Sequence, residues 1–394
     1  MMNSRSPLPA TPELTSRLPA VGTTVFSRMS ALAAQHGAVN LGQGFPDFAC
    51  DPALIDMVSN AMREGFNQYP MGIGAPVLRQ AIAAKVARIY GHQYDADTEI
   101  TVTPGATEAL TTAILCCVHP GDEVIVIEPA YDSYLPAIEL ASGKPVLVQM
   151  EVAPHGGFSV PWDKLAAAVS PRTRLIIINT PHNPTSSVLR AADMQALSAI
   201  VRGTGILILS DEVYEHMVYD GERHESMCRY PELAARSFVV SSFGKTYHVT
   251  GWKVGYVAAP APLMAEFRKV HQYNVFSVNT PMQHGIASYM ADARPYLELP
   301  AFYQRKRDLF REGLRGSRFE LLPADGTYFQ CVRYDRISSL GEAAFAEWLT
   351  TEIKVAAIPV SAFYRDGKDS GIVRFCFAKK DETLALALER LARV

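Results

Sequence analysis

Between residues 50 and 284, seven short runs rich in β-branched residues alternate with longer helical patterns, and this alternation constrains the fold more than any other feature of the sequence. The runs are EITVT (99–103), EVIVIE (123–128), KPVLVQM (144–150), RLIIIN (174–179), ILILS (206–210), SFVVS (237–241) and VGYVA (254–258). Between them lie stretches with helical spacing, among them ATEALTTAILCCV, PWDKLAAAV and ADMQALSAIV. Successive strand–helix units build a largely parallel sheet, because a parallel connection must cross the sheet face and a helix is the usual crossover. The expected class is α/β, with a mostly parallel seven-stranded sheet in one large domain, 49–284.

With 394 residues the chain exceeds the usual size of a single core, and the pattern changes near 285. There a charged helix candidate, AFYQRKRDLFREGLRG, is followed by FELLPADGTYFQCVRY, a helix around EAAFAEWLTTEI, the strand GIVRFCFA and a last helix, ETLALALERLARV. That order predicts a smaller α+β C-terminal domain, 285–394. Residues 1–48 have no regular pattern before VFSRMSALAAQ and cannot form a core alone; they are expected to join the smaller domain.

A formal net charge of -3 offers no footprint for nucleic acid or an anionic membrane. No run of about 18 apolar residues is present, so no transmembrane helix is expected. The polar, proline-dotted start, MMNSRSPLPATPELTSRLPAVG, lacks the apolar segment of a secretory signal, and a cytoplasmic location is expected. The six cysteines form no CxxC pair, which argues for free thiols and against a zinc site; no metal is expected.

Five of the strand candidates are followed by polar, turn-forming segments: TPGATE, PAYDSY, TPHNPT, DEVYEH and SFGKTYH. In a parallel sheet all five leave from the carboxyl edge, where open α/β folds bind ligands. Each has a plain structural reading. Pro104-Gly105-Ala106-Thr107 is a strand-to-helix turn, or a phosphate site at a helix start. Asp211 is a helix N-cap for VYEHM, or a buried carboxylate with a task. Tyr214 packs, and Asn183-Pro184 turns the chain. Taken together, they ask for one ligand with a phosphate, a cationic ring nitrogen, a phenolic oxygen and a carbonyl open to an amine. Pyridoxal 5′-phosphate has all four groups.

SSFGKTYHVTGWKVGY resembles the cofactor-lysine segment of the class I aminotransferases of the fold type I pyridoxal-phosphate enzymes. LGQGFPDF, NQYPMGIGAP, TPGATEAL, PHNPT and SDEVYEH resemble that family's companion motifs in the expected order, from about residue 20 to the end. LGQGFPDF and HQYNVFSVNTP look closest to its methionine and kynurenine (glutamine-type) branch. The resemblance implies that Lys245 carries the cofactor through its amine and that Asp211 pairs with the ring nitrogen. Asn183 and Tyr214 would bond the phenolic oxygen, and Tyr131 would stack on the ring. Gly105, Ala106, Thr107, Ser242 and Lys253 would hold the phosphate, with Tyr69 reaching it from a second subunit of a homodimer. Arg374 would bind the substrate carboxylate beside Gly44, as suits a planar guanidinium.

Many relatives continue the Asn-Pro motif with Thr-Gly, whereas Thr185-Ser186 stands here. A Cβ makes positive φ costlier, so the loop is expected to differ locally. The stretch HQYNVFSVNTPMQ has no arginine to pair a side-chain carboxylate. Tyr273 and Phe276, with Phe26 and Tyr131, are expected to form an aromatic wall, which favours methionine, aromatic donors and glutamine over aspartate. The alternative is that an arginine from elsewhere, such as Arg28, enters the pocket. A pyridoxal-phosphate β-lyase acting on cysteine conjugates or cystathionine would use the same cofactor groups. A cofactor-binding regulator without turnover is disfavoured, since every expected catalytic position is filled.

Overall fold

The structure, a computed structural model, describes residues 13–152 and 156–394; residues 1–12 of the expected N-terminal segment lie outside the described residues. The seven runs form one sheet: β1 (Ile100–Thr103), β2 (Glu123–Glu128), β3 (Lys144–Gln149), β4 (Thr173–Asn179), β5 (Leu207–Asp211), β6 (Ser237–Ser242) and β7 (Gly255–Ala258). Their spatial order is β1-β7-β6-β5-β4-β2-β3. All pairs are parallel except those of β7, which runs antiparallel to both β1 and β6. The strands read as unbroken apolar runs because both faces are covered. Ile125, Ile127, Ile176 and Ile178 enter one core, and their neighbours Val124, Val126, Leu175 and Ile177 enter the core on the opposite face.

The single antiparallel strand shapes the carboxyl edge of the sheet. A parallel neighbour requires a crossover, but an antiparallel one can be reached by a short excursion. The chain from β6 to β7 therefore turns back on itself at that edge, closed by Phe243 N–H donating to Val254 C=O at 3.1 Å. Lys245 lies on this excursion.

The second lobe is built on a four-stranded antiparallel sheet of β8 (Glu320–Leu321), β9 (Phe329–Arg333), β10 (Ile358–Pro359) and β11 (Ile372–Cys376), in the order β8-β9-β11-β10. The helices Leu299–Gly313 and Asp381–Leu391 pack on it through Phe310 and Leu384. The helix Val25–His36 places Met29 and Ala33 inside, and Val39–Asn40 pairs in parallel with Val355–Ala356. The boundary expected at 284/285 falls within the helix Thr280–Tyr289. Gly285 there meets the helix Pro52–Arg63 so closely that a Cβ would stand 2.3 Å from Val58 Cγ2. Ile286, Tyr289 and Tyr296 belong to the large-lobe core, whereas Leu299 belongs to that of the second lobe.

Among the described residues, no helix is long and apolar enough to cross a membrane, and no cluster of His, Cys, Asp and Glu is placed to hold a metal ion. All six cysteines are free thiols.

Candidate active site

The carboxyl ends of β1, β2, β4, β5 and β6 open into a cavity of about 310 Å³ that the second lobe covers with Phe329 and Arg374. At one end the helix Ala106–Cys117 points its start into the cavity. Gly105 precedes it at φ 82°, and a Cβ there would stand 3.0 Å from Lys253 Nζ. A helix start with unpaired N–H groups, a lysine and no side chain between them forms an anion cradle. Thr107 and Ser242 line the same end. Lys253 itself has φ 54°, a left-handed turn that brings its side chain back over the helix start.

Asp211 ends β5, 4% exposed, where it accepts from Tyr134 Oη at 2.7 Å and from Val213 N–H at 3.3 Å. Burial pushes its carboxyl up to about 6, against the bonds it accepts and the charge of Lys245. No helix follows it: residues 213–216 form turns, so the N-cap reading fails. Asn179, paired with Asp211 across β4 and β5, donates through Nδ2 to Asp211 C=O at 2.9 Å. It also accepts from Asn183 N–H at 2.8 Å, which sets the loop carrying Asn183 at the cavity wall.

Lys245 Nζ donates to Gly44 C=O at 3.0 Å and to Tyr328 Oη at 2.8 Å. It also stands 5.6 Å from the Tyr214 ring centroid. Burial lowers its ammonium pKa to about 8, helped by the nearby Arg374 and opposed by Asp211, so the free amine is accessible near neutral pH. Tyr131 caps the cavity near Thr107, its hydroxyl 3.5 Å from Thr107 Oγ1.

Arg374 is 1% exposed. It donates to Asn183 Oδ1 and, at 3.2 Å, to Gly42 C=O. Its guanidinium lies 3.8 Å from the Phe329 ring centroid, with Phe363 and Phe26 flanking it. Its Nε has no partner, although it is buried. Arg374 lines the cavity, where a planar guanidinium can take a carboxylate.

Of the residues expected at the site, Tyr69, Tyr273 and Phe276 do not line this cavity. Phe276 follows the end of the helix Ala261–Asn274 on the outer surface, and its ring packs edge-on against Tyr69 at 5.1 Å. Tyr69 is 79% exposed and Tyr273 is 92% exposed. Within this chain the aromatic wall is instead Phe26, Phe45, Tyr131 and Phe329. Arg28 is outside the cavity, 3.7 Å from Glu347. Sequence reasoning missed Tyr328, Phe329, Tyr134 and Asn179. The aromatic pair after the turn-forming Asp325-Gly326 marks a buried strand start but not its place beside Lys245 and Arg374.

A family model for class I and II aminotransferases matches residues 37–391. The methionine aminotransferase of Escherichia coli K12 is 51% identical over 96% of this chain and 98% of its own length. The kynurenine–oxoglutarate transaminase of Dictyostelium discoideum is 35% identical over 95% of this chain and 94% of its own. Among solved structures, YbdL from E. coli, for which a methionine aminotransferase function is identified, superimposes with a TM-score of 0.94 at 50% identity, covering 98% of this chain and 100% of that one.

Proposed function

The chain belongs to the class I and II aminotransferases, and from that premise we propose that it moves the amino group of methionine or an aromatic amino acid, with glutamine and kynurenine as further donors, to a 2-oxo acid. The fold is that of the type I enzymes of this family, and the activity is transamination. The donor class rests on one observation. Among the described residues, the only cations lining the cavity are Lys245, Lys253 and Arg374. Each has a task, so within one copy none remains for a side-chain carboxylate, which aromatic walls would leave unpaired. The similar methionine aminotransferase supports the same donor.

Pyridoxal 5′-phosphate fits the residues present, and when bound it supplies the electron sink for the charge left at Cα. The cradle of Gly105, Ala106, Thr107, Ser242 and Lys253 would hold its phosphate, and Tyr131 would cover its ring. Asp211 would hold the proton on the ring nitrogen, while Asn183 and Tyr214 would bond the ring oxygen. Arg374 binds the substrate carboxylate through its guanidinium, with Asn183 and Phe329 fixing the plane of that group. The Lys245 amine, 2.8 Å from Tyr328 Oη, would take the proton from the substrate Cα and, as the ammonium, give it up again. A pKa of about 8 suits both directions.

The exposed pair of Tyr69 and Phe276 supports a homodimer in which Tyr69 reaches the phosphate site of a second copy. A monomer by sedimentation at micromolar concentration would overturn this. The cytoplasm is the proposed location, to be checked by cell fractionation. The donor assignment is tested by kcat/KM for methionine, phenylalanine, kynurenine, glutamine and aspartate with one common 2-oxo acid. Aspartate ranking first would overturn it, and release of pyruvate and thiol from cystathionine without an acceptor acid would point to the lyase reading.

A further inference from the structure

Two residues with side chains hold backbone conformations that favour glycine, and they meet across the seam between the lobes. Ser186 has φ 63° and Thr327 has φ 61°. Both are fully buried. Ser186 stands where many relatives have glycine, and it adopts a left-handed conformation in spite of its Cβ, where its hydroxyl acquires a use. Strain of this kind persists only where the surroundings over-determine it.

The hydrogen bonds around these two residues close into a ring with every donor assigned. Ser186 Oγ donates to Phe329 C=O at 2.8 Å. Its one proton being used, it accepts from Thr327 Oγ1 at 3.0 Å. Thr327 Oγ1 in turn accepts from Phe329 N–H at 3.2 Å. Both polar groups of the Phe329 backbone are thus tied to the 186–327 pair. The Ser186 carbonyl accepts from Asp325 and Gly326 N–H at 3.1 and 2.9 Å, which pins the same turn from below.

Phe329 lies directly under the carboxylate-binding group. It pairs with Cys376 across β9 and β11, so its side chain shares a face with Arg374, two residues before Cys376. The guanidinium stacks at 3.8 Å on its ring, and the ring tip leaves no room for a Cβ on Gly44. The loop 183–186 therefore holds Arg374 twice, directly through Asn183 Oδ1 and indirectly through Ser186 and Phe329.

We propose that Ser186, acting with Thr327, is a positioning residue for substrate recognition: it fixes Phe329 beneath Arg374 and so sets the affinity for the substrate carboxylate. The proposal rests on the reading of Arg374 as the carboxylate group, but not on which amino acid is the donor.

The test uses the cofactor-loaded protein and 3-phenylpropanoate, which has the carboxylate and no amine. Ser186→Gly relieves the backbone strain and removes the hydroxyl. Its thermal midpoint should be unchanged or higher, while the calorimetric Kd for phenylpropanoate and the KM for every donor rise about tenfold and kcat stays within about twofold. Thr327→Val should reproduce the loss, and Thr327→Ser should retain wild-type affinity. The double variant Ser186→Gly/Thr327→Val should lose no more than either single one, since both break the same ring. Unchanged phenylpropanoate binding in both Ser186→Gly and Thr327→Val, or a loss in kcat with KM intact, would overturn the proposal. Methionine proving a poor donor while phenylpropanoate binding still drops in Ser186→Gly would reject the donor assignment and leave this one standing.

Discussion

Gly255 of β7 presses on Gly105 at the head of the helix Ala106–Cys117. A Cβ on Gly255 would stand 3.1 Å from the Gly105 carbonyl carbon and 3.2 Å from the Ala106 nitrogen. The antiparallel strand thus runs under the anion cradle, with Gly255 opposite both Thr103 and Ser242. The same Cβ would stand only 2.7 Å from the Ser241 carbonyl oxygen, so Gly255→Ala must part β7 from β6 and from the helix start, which opens the cradle. We expect a folded protein whose cofactor Kd, followed by fluorescence titration, rises at least about tenfold, or about 1.4 kcal/mol. An unchanged Kd would contradict the cradle assignment.

Lys245→Ala removes the amine that faces Gly44 and Tyr328, and Lys253 is committed to Gly105 at the far end of the cavity. The variant should bind cofactor without a covalent bond and show no adduct that borohydride can fix on the protein. The half-reaction should slow by at least about 1,000-fold and recover in part with added methylamine. A borohydride-fixed adduct in this variant would reassign the lysine.

Asp211→Asn separates function from stability. In the cofactor-free protein the Asp211 carboxyl, raised from its ordinary value of 3.8 to about 6, contributes most to stability below pH 4, and that contribution is lost as the pH rises from about 4 to 6. The asparagine variant lacks this loss. Without cofactor it should be more stable than wild type at pH 7.5, by an amount of order 3 kcal/mol that vanishes towards pH 4. With cofactor it should slow the half-reaction at least about 100-fold, or about 2.7 kcal/mol in barrier. Melts across pH and a stopped-flow half-reaction check the two parts, and near-normal turnover would remove Asp211 from the mechanism.

Behind the site, Lys85 Nζ lies 2.6 Å from Glu215 Oε1, both side chains almost fully buried. Tyr90 and Tyr256 also donate to this carboxylate, as does Ser241. Burial alone would raise the Glu215 carboxyl, but Lys85, His216 and the hydrogen bonds together hold it below the usual range. Lys85→Met strands the charge and should cost about 3–5 kcal/mol in urea unfolding, with Lys85→Met/Glu215→Gln recovering much of it. Wild-type stability in the single variant would show that the pair carries no such load.

The strands and the segments after them are legible in the sequence because they depend on local properties. Unbroken β-branched runs reflect burial on both faces, and glycine, asparagine and aspartate after each run mark the turns at the carboxyl edge. The α/β class and the seven sheet strands come from these features, and the candidate roles of Lys245, Asp211 and Asn183 are what the family resemblance implies. What stays hidden depends on pairings between distant segments. Nothing local to Tyr328 and Phe329 shows that the register of β9 against β11 sets them beside Lys245 and Arg374. The helix Thr280–Tyr289 carries no mark of the lobe it joins until Gly285 meets Val58. Phe276 has the residue type of a pocket wall, yet where its ring points depends on how the helix Ala261–Asn274 ends. Strand spacing determined the fold class, and the resemblance of the motifs to a known family pointed to the chemistry. Only the tertiary structure decided which side chains share a cavity, and that Ser186 is tied to Phe329 beneath Arg374, because register and lobe contact bring together residues 141 positions apart.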